Sequence, residues 1–244
     1  RLFESDVNPV FRCLADNYLG ADTPKLQQAF FDIEVDFNSE LGFAPPEDPF
    51  NAVTAISVHL DWIGKTICLV NKPKTLTKAD AQEICDRFDD TILCDTESEM
   101  LETFLQLIDD ADVMSGWNSE GYDIPYTVNR ITRILSKDDT RKFCLWGQFP
   151  KPRMFERFGA EQQTYDLIGR VHMDYMQLYR KYTNEERHSY SLDAIAEHEL
   201  GERKTQFEGT LDQLYNQHFK TFIAYNRQDT ALLDKLDKKL QFLD

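Results

Sequence analysis

No apolar run in this chain of 244 residues approaches the roughly 20 residues that span a bilayer, so nothing in it reads as a membrane helix. A signal-peptide pattern is also missing. Its five cysteines, Cys13, Cys68, Cys85, Cys94 and Cys144, are an odd set without a C-x-x-C spacing. Reduced thiols in a cytosolic compartment are therefore expected. The five histidines, His59, His172, His188, His198 and His218, are scattered with no ligand-like spacing. Cations are scarce: 27 Lys and Arg stand against 43 Asp and Glu, for a net charge of −16. That balance argues against a free-standing, high-affinity nucleic-acid binder, because phosphate contacts need a basic surface. It leaves open a site built from the acids themselves, which draw metal ions that in turn meet a phosphate. The one cationic concentration is Arg130, Arg133, Lys137, Arg141, Lys142, Lys151, Arg153 and Arg157, which reads first as a solvated face.

The chain is long enough to bury a full core and fits one large domain. Residues 1–28 read as an irregular lead-in with a short helical piece over 9–17. A strand over 30–35 precedes a loop rich in proline and acid, 42–49. Residues 52–60 form a second strand, which Ile63-Gly64 turns into a third over 66–70, an antiparallel hairpin. Met100, Leu101, Phe104, Leu105 and Ile108 recur at helical spacing over 97–110, ahead of a short buried strand over 113–117. That stretch makes a strand–helix–strand crossover. A further helix opens at Asp123-Ile124-Pro125, where proline is tolerated in the first turn, and runs to about Leu135. Residues 137–170 show no firm periodicity, and 171–178 read as the last strand. Helices are expected from Ser191, from Gly209 and, as a long one, from His218 to the end. The sum is a mixed α/β layer fold without internal repeats.

Four carboxylates stand out. Asp32 and Glu34 sit inside the apolar run Ala29-Phe30-Phe31-Asp32-Ile33-Glu34-Val35. Side chains at i and i+2 of a strand share a face, so both acids point the same way from a buried strand. Like charges there are costly without a neutralising cation. Asp123 closes Gly116-Trp117-Asn118-Ser119-Glu120-Gly121-Tyr122-Asp123, and Asp229 closes Tyr225-Asn226-Arg227-Gln228-Asp229. Hard oxygen ligands of this kind suit Mg²⁺ or Mn²⁺ rather than zinc. Plainer readings exist for each. Asp32 and Glu34 could be ion-pair partners on an edge strand, although their flanks are too apolar for that. Asp123 could cap the helix that follows, which is compatible with holding a metal. Tyr225 and Asp229, at i and i+4, could be an exposed pair on one helix face.

In order, D-x-E, N-x-x-x-Y-D and Y-x-x-x-D, about 90 and about 105 residues apart, resemble the proofreading 3′→5′ exonuclease motifs of family B DNA polymerases. Two accessory motifs strengthen the likeness, Ser191-Leu192-Asp193-Ala194-Ile195 and Lys204-Thr205-Gln206-Phe207. Leu2-Phe3-Glu4-Ser5-Asp6-Val7, with Arg12 and Asp16, resembles the family's lead-in. Ser115-Gly116-Trp117-Asn118, Ile124-Pro125-Tyr126, Asn129-Arg130 and Asp174-Tyr175-Met176-Gln177-Leu178-Tyr179 look closest to the T-even phage branch. Nothing resembles the polymerase motifs D-x-x-S-L-Y-P-S and Y-G-D-T-D, so an excised or separate exonuclease domain is expected, with 1–28 as lead-in and 29–244 as the exonuclease.

The resemblance implies a ribonuclease-H-like α/β fold, with a mixed five-stranded sheet flanked by helices. It implies two Mg²⁺ or Mn²⁺ ions, one on Asp32, Glu34 and Asp229, the other shared by Asp32 and water held by Asp123. Tyr225 would hold the attacking water, and Lys204, whose plainer reading is an exposed lysine, would sit near the scissile phosphate. Phe31, Asn118, Tyr122, Ser191 and Leu192 would contact DNA. Phe31 reads equally as a core aromatic, Tyr122 as packing, Ser191 as a helix cap and Leu192 as core. The implied substrate is a single-stranded or frayed DNA 3′ end and the partner a polymerase domain, in the cytoplasm of a phage-infected or bacterial cell. The rivals are a stand-alone repair exonuclease or exoribonuclease of the same fold, and a catalytically silent structural domain. The last would show eroded carboxylates, yet all four are present.

Overall fold

Alternation along the strand Gln28–Val35 (β1) decides which side chain meets which layer. Ala29, Phe31 and Ile33 enter one core cluster, whereas Phe30 enters another on the opposite face. The period of two puts Asp32 and Glu34 on the side of Phe30. The computed structural model describes residues 6–22, 24–157, 159–183, 186–205, 207 and 209–243. Leu2-Phe3-Glu4-Ser5 of the lead-in motif, Gln206 of the second accessory motif and the terminal Asp244 lie outside the described residues.

β1 pairs antiparallel with β2 (Val53–Leu60), which pairs antiparallel with β3 (Lys65–Asn71), and β3 runs parallel to an edge strand, β4 (Thr91–Cys94). On its other side β1 runs parallel to β5 (Val113–Gly116). β6 (Lys151–Arg157) and β7 (Ala160–Asp166) form a separate antiparallel ribbon, and β8 (Val171–Asp174) pairs parallel with β5. The main sheet therefore has the order β4-β3-β2-β1-β5-β8, with β2 alone running against its neighbours. This is the ribonuclease-H-like mixed sheet, with six strands where five were expected because β4 adds to the edge.

Outside the sheet, α1 (Pro9–Tyr18) leads in without burying a residue. α2 (Lys78–Cys85), α3 (Glu97–Leu107) and α4 (Asp123–Ile134) follow, then α5 (Tyr175–Tyr182), α6 (Leu192–Leu200), α7 (Leu211–Gln217) and α8 (Phe219–Leu240). α3 and α4 cover the face of Phe31, where Met100, Leu101, Phe104, Ile124 and Ile131 pack. α5, α6 and α8 cover the face of Phe30, and α2 and α7 pack beside α8 over Cys68 and Val70 of β3. None of these helices is long and apolar enough to cross a membrane.

Three local readings need correction. The strand expected over 171–178 stops at Asp174, whose carboxylate accepts from the Met176 and Gln177 N–H groups and starts α5. Tyr175, Met176 and Tyr179 then bury one helical face. The stretch 137–170 holds the β6–β7 ribbon, whose largely solvent-facing strands leave no apolar alternation to read. α2 was missed because it is short and half-polar, and β4 because its four residues are too few to show a period. The hairpin turn falls as expected at Gly64, with a φ of 64° and its N–H bonded to the Leu60 carbonyl.

Long and buried along one side, α8 carries the third acidic motif, so its packing should govern overall stability. Leu233 is fully buried against the Phe30 cluster. Leu233→Ala should cost about 2–5 kcal/mol in urea denaturation. A loss under about 1 kcal/mol would show that α8 is not anchored there.

Candidate active site

β5 ends at Gly116 while β1 continues to Val35, and their pairing stops at Phe30 with Ser115. Among the described residues, no strand pairs with the β5-side edge of β1 beyond that point. Asp123 takes over: its Oδ1 accepts the Ile33 N–H at 3.2 Å. The approach of the loop requires Gly116, since a Cβ there would lie 2.8 Å from the Phe31 carbonyl oxygen and from Ser119 Cβ. Asp123 is the first residue of α4, after Tyr122 at a cap position without a side-chain cap bond. The simple capping alternative therefore gives way to a bridge from α4 to β1. Asp174 braces the same loop from β8, its carboxylate accepting from the N–H groups of Asn118 and Glu120.

α8 crosses the Asp32 face of β1 and brings Tyr225, Asn226 and Asp229 to it. One carboxylate oxygen each from Asp32, Glu34 and Asp229 lies within 4.8 Å of the others. Asn226 donates to Asp32 Oδ2 at 3.4 Å. Lys204, from the segment between α6 and α7, donates through Nζ to Asp229 Oδ2 at 2.5 Å and to the Tyr225 hydroxyl at 3.4 Å. Asp229 Oδ1 is buried and finds no hydrogen-bond partner among the described residues. An orphaned carboxylate oxygen inside an all-oxygen trio is the donor set of a hard cation, so these residues fit a metal ion.

The electrostatics agree. Burial first, then the charges of Asp229, Glu34 and Asp123, hold Asp32 well above the ordinary aspartate range. Burial and Asp229 push Glu34 up to about 8. Burial raises Asp123 to about 7, against the bond from Ile33. Burial also raises Asp229 to about 6, although Lys204 pulls the other way. For Lys204 itself, burial disfavours the ammonium, but Asp229 and Asp32 outweigh it and keep it charged. Burial and Asp229 lift Tyr225 to about 12, so its hydroxyl stays protonated.

The remaining expected residues divide. Phe31 is fully buried against Phe104, on the face away from Asp32, and packs as a core aromatic. Leu192 is buried in the Phe30 cluster, where it serves as a core residue. Ser191 is exposed and caps α6 by accepting from the Ala194 N–H. Tyr122 is half-buried and stacked on Tyr126 at 5.2 Å, with its pKa raised by burial, then by Tyr126, Asp123 and Glu34. Asn118 holds a left-handed backbone, φ 65°, with a buried Oδ1. Much of the cationic stretch is engaged internally. Arg130 is buried in a two-bond pairing with Glu97, Arg133 meets Asp48, and Arg153 meets Glu120 and Asp166.

Sequence reasoning missed Asn226 and Asp174. Asn226 had a signal: it lies three residues before Asp229, on the same helical face. Asp174 stood out only as part of a family-like run, and its bracing role could not be read there because it joins two segments far apart in the chain.

The family described as DNA polymerase family B, exonuclease domain, matches residues 3–195 of this chain. The DNA-directed DNA polymerase of Escherichia phage RB69 is 28% identical over 95% of this chain and 28% of its own length. That of Enterobacteria phage T4 is 30% identical over 67% of this chain and 18% of its own length. The DNA polymerase delta catalytic subunit of Bos taurus is 29% identical over 47% of this chain and 11% of its own length. The chain thus spans less than a third of the length of these relatives.

Raised carboxylate pKa values make the metal-free site a pH-dependent load. The folded state keeps protons that the unfolded chain releases near pH 4, so the stability they confer is full below that pH. It is lost as pH rises through about 8, the folded value of Glu34. In EDTA the melting temperature should therefore fall between pH 5 and 8.5. Asp32→Asn with Glu34→Gln should flatten that fall and raise the melting temperature at pH 8.5. An unchanged slope in the double variant would show that these carboxyls are not the source.

Proposed function

The chain belongs to the family of exonuclease domains of family B DNA polymerases, and from that premise we propose that it removes nucleoside 5′-monophosphates from single-stranded or frayed DNA 3′ ends as a proofreading domain. The observation that carries the reading is the Asp32, Glu34 and Asp229 trio, with a buried unpartnered oxygen and Lys204 at its side. Two Mg²⁺ or Mn²⁺ ions, when bound, would supply Lewis-acid activation of water and stabilise the leaving 3′-oxygen. Asp32, Glu34 and Asp229 would hold one ion, and Asp32 with Asp123, through water, the other.

The chain's own groups have separable tasks in this reading. Tyr225 orients the nucleophilic water through a hydroxyl that stays protonated. Lys204, kept charged beside Asp229, faces the scissile phosphate and offsets its negative charge. Tyr122 offers a ring for a base, and Asn118 and Ser191 offer polar contacts to the strand. Residues 1–28 serve as the lead-in from a polymerase N-terminal region, and 29–244 as the exonuclease. A polymerase domain, on the same or a partner chain, supplies the duplex grip that a net charge of −16 denies this domain. The setting is the cytoplasm of a phage-infected or bacterial cell.

A 5′-labelled single strand, in DNA and RNA versions, incubated with Mg²⁺, Mn²⁺ or EDTA, tests the reaction and its sugar preference. Stepwise shortening of DNA from the 3′ end, stopped by EDTA, is expected; preference for RNA would favour an exoribonuclease instead. Asp32→Ala with Glu34→Ala should abolish release of monophosphate while the fold persists.

Tyr225→Phe removes a hydroxyl but no ligand. Its single-turnover rate should drop about ten- to a hundredfold, with Mn²⁺ affinity by calorimetry unchanged. Asp229→Asn should weaken both. If Tyr225→Phe loses metal as badly as Asp229→Asn, the division of tasks along α8 is wrong.

A further inference from the structure

The segment that carries Lys204 has no regular secondary structure, so no helix or ladder partner fixes its backbone. Side chains from two helices do so instead. Gln228 Oε1 accepts the Thr205 N–H at 2.6 Å and the Thr205 hydroxyl at 2.5 Å. Its Nε2 donates to the Arg203 carbonyl at 2.8 Å. One amide thus grips the chain on both sides of Lys204. Asp193, in the first accessory motif, accepts the N–H of Lys204 itself at 2.6 Å.

We propose that Gln228 is a positioning residue that holds the 203–205 segment so that the Lys204 ammonium stays against Asp229 and faces the scissile phosphate, with Asp193 as the second point of the grip. The phosphate-facing part rests on the reading of Lys204 given above. Gln228 directly precedes Asp229 and lies three residues after Tyr225. The same turn of α8 that presents the carboxylate and the hydroxyl therefore also fixes the lysine that touches both. A lysine side chain is long and flexible, so its ammonium is only as well placed as the backbone beneath it. Glutamine suits the task because it accepts at one end and donates at the other. Glutamate would keep the bonds from Thr205 but set an oxygen against the Arg203 carbonyl. Methionine matches the length and makes neither bond.

The test uses the full 244-residue chain as Gln228→Met, Gln228→Glu, Lys204→Met and the double variant Gln228→Met with Lys204→Met. Side-chain ammonium ¹H–¹⁵N spectra of the metal-free protein report the ion pair directly. The Lys204 signal, assigned by its loss in Lys204→Met, should broaden or vanish in Gln228→Met and persist, weakened, in Gln228→Glu. Single-turnover cleavage of 5′-labelled single-stranded DNA with Mn²⁺ should fall about ten- to a hundredfold in Gln228→Met, and less in Gln228→Glu. On the Lys204→Met background, Gln228→Met should cost less than about twofold, since coupled residues are not additive. An equal loss with and without Lys204, or an unaltered ammonium signal in Gln228→Met, overturns the proposal. Wild-type cleavage by Lys204→Met would refute the phosphate-facing role, and the ammonium spectrum would still decide the grip.

Discussion

Like charge gathered in a desolvated place is the constraint on which this molecule turns. Asp32, Glu34, Asp123 and Asp229 converge beside the end of β1, and each is raised above its ordinary range chiefly by burial. Carboxylates at such spacing persist only where the surroundings over-determine their positions. Here β1 sits between β2 and β5, α8 is anchored by Leu232, Leu233 and Leu236, and Ile33, Asn226 and Lys204 each hand a donor to one of the acids. The fold thus spends its rigidity where electrostatics oppose it.

The placing of cations follows the same logic. A chain with net charge −16 could neutralise its centre by drawing on its basic stretch, yet much of that stretch is tied elsewhere, Arg133 to Asp48, Arg141 to Asp138, Lys142 to Asp139 and Arg153 to Glu120 and Asp166. Arg130 ties Glu97 and the backbone carbonyls of Pro49 and Phe50, fixing the acidic loop before β2. Arg170 is buried and bonds the carbonyls of Ala111 and Asp109 behind β5. Arginine suits such duties, since its planar fork meets several acceptors at once. Lys204, a point charge on a flexible stem, is what reaches the acidic centre, and its segment is in turn held by Gln228 and Asp193.

How far the sequence could be read depends on how local each signal is. β1, β2 and β3 were legible because apolar residues run or alternate within each strand, and α3 because its buried positions recur at helical spacing. The β6–β7 ribbon was not, since strands open to solvent carry no apolar pattern. The helix α5 read as strand because Val171-His172-Met173-Asp174 leads into it without a break. What starts the helix is the Asp174 carboxylate, which also bonds the distant loop at Asn118 and Glu120.

The acids Asp32, Glu34, Asp123 and Asp229 were determined by the sequence alone, because their spacing within each motif already assigns a shared strand face, a helix start and a helix turn. Tertiary structure decided which side chains beside them stay available. Phe31 neighbours Asp32 in the chain but points into the Phe104 cluster, and Leu192 follows the exposed Ser191 yet lies in the core. It alone set Lys204 against Asp229, gave the Ile33 N–H to Asp123 and closed Gln228 around the lysine's backbone. Each of these links joins segments far apart in sequence, where no periodicity connects them and only the packing of α8 and α4 on β1 brings donor to acceptor.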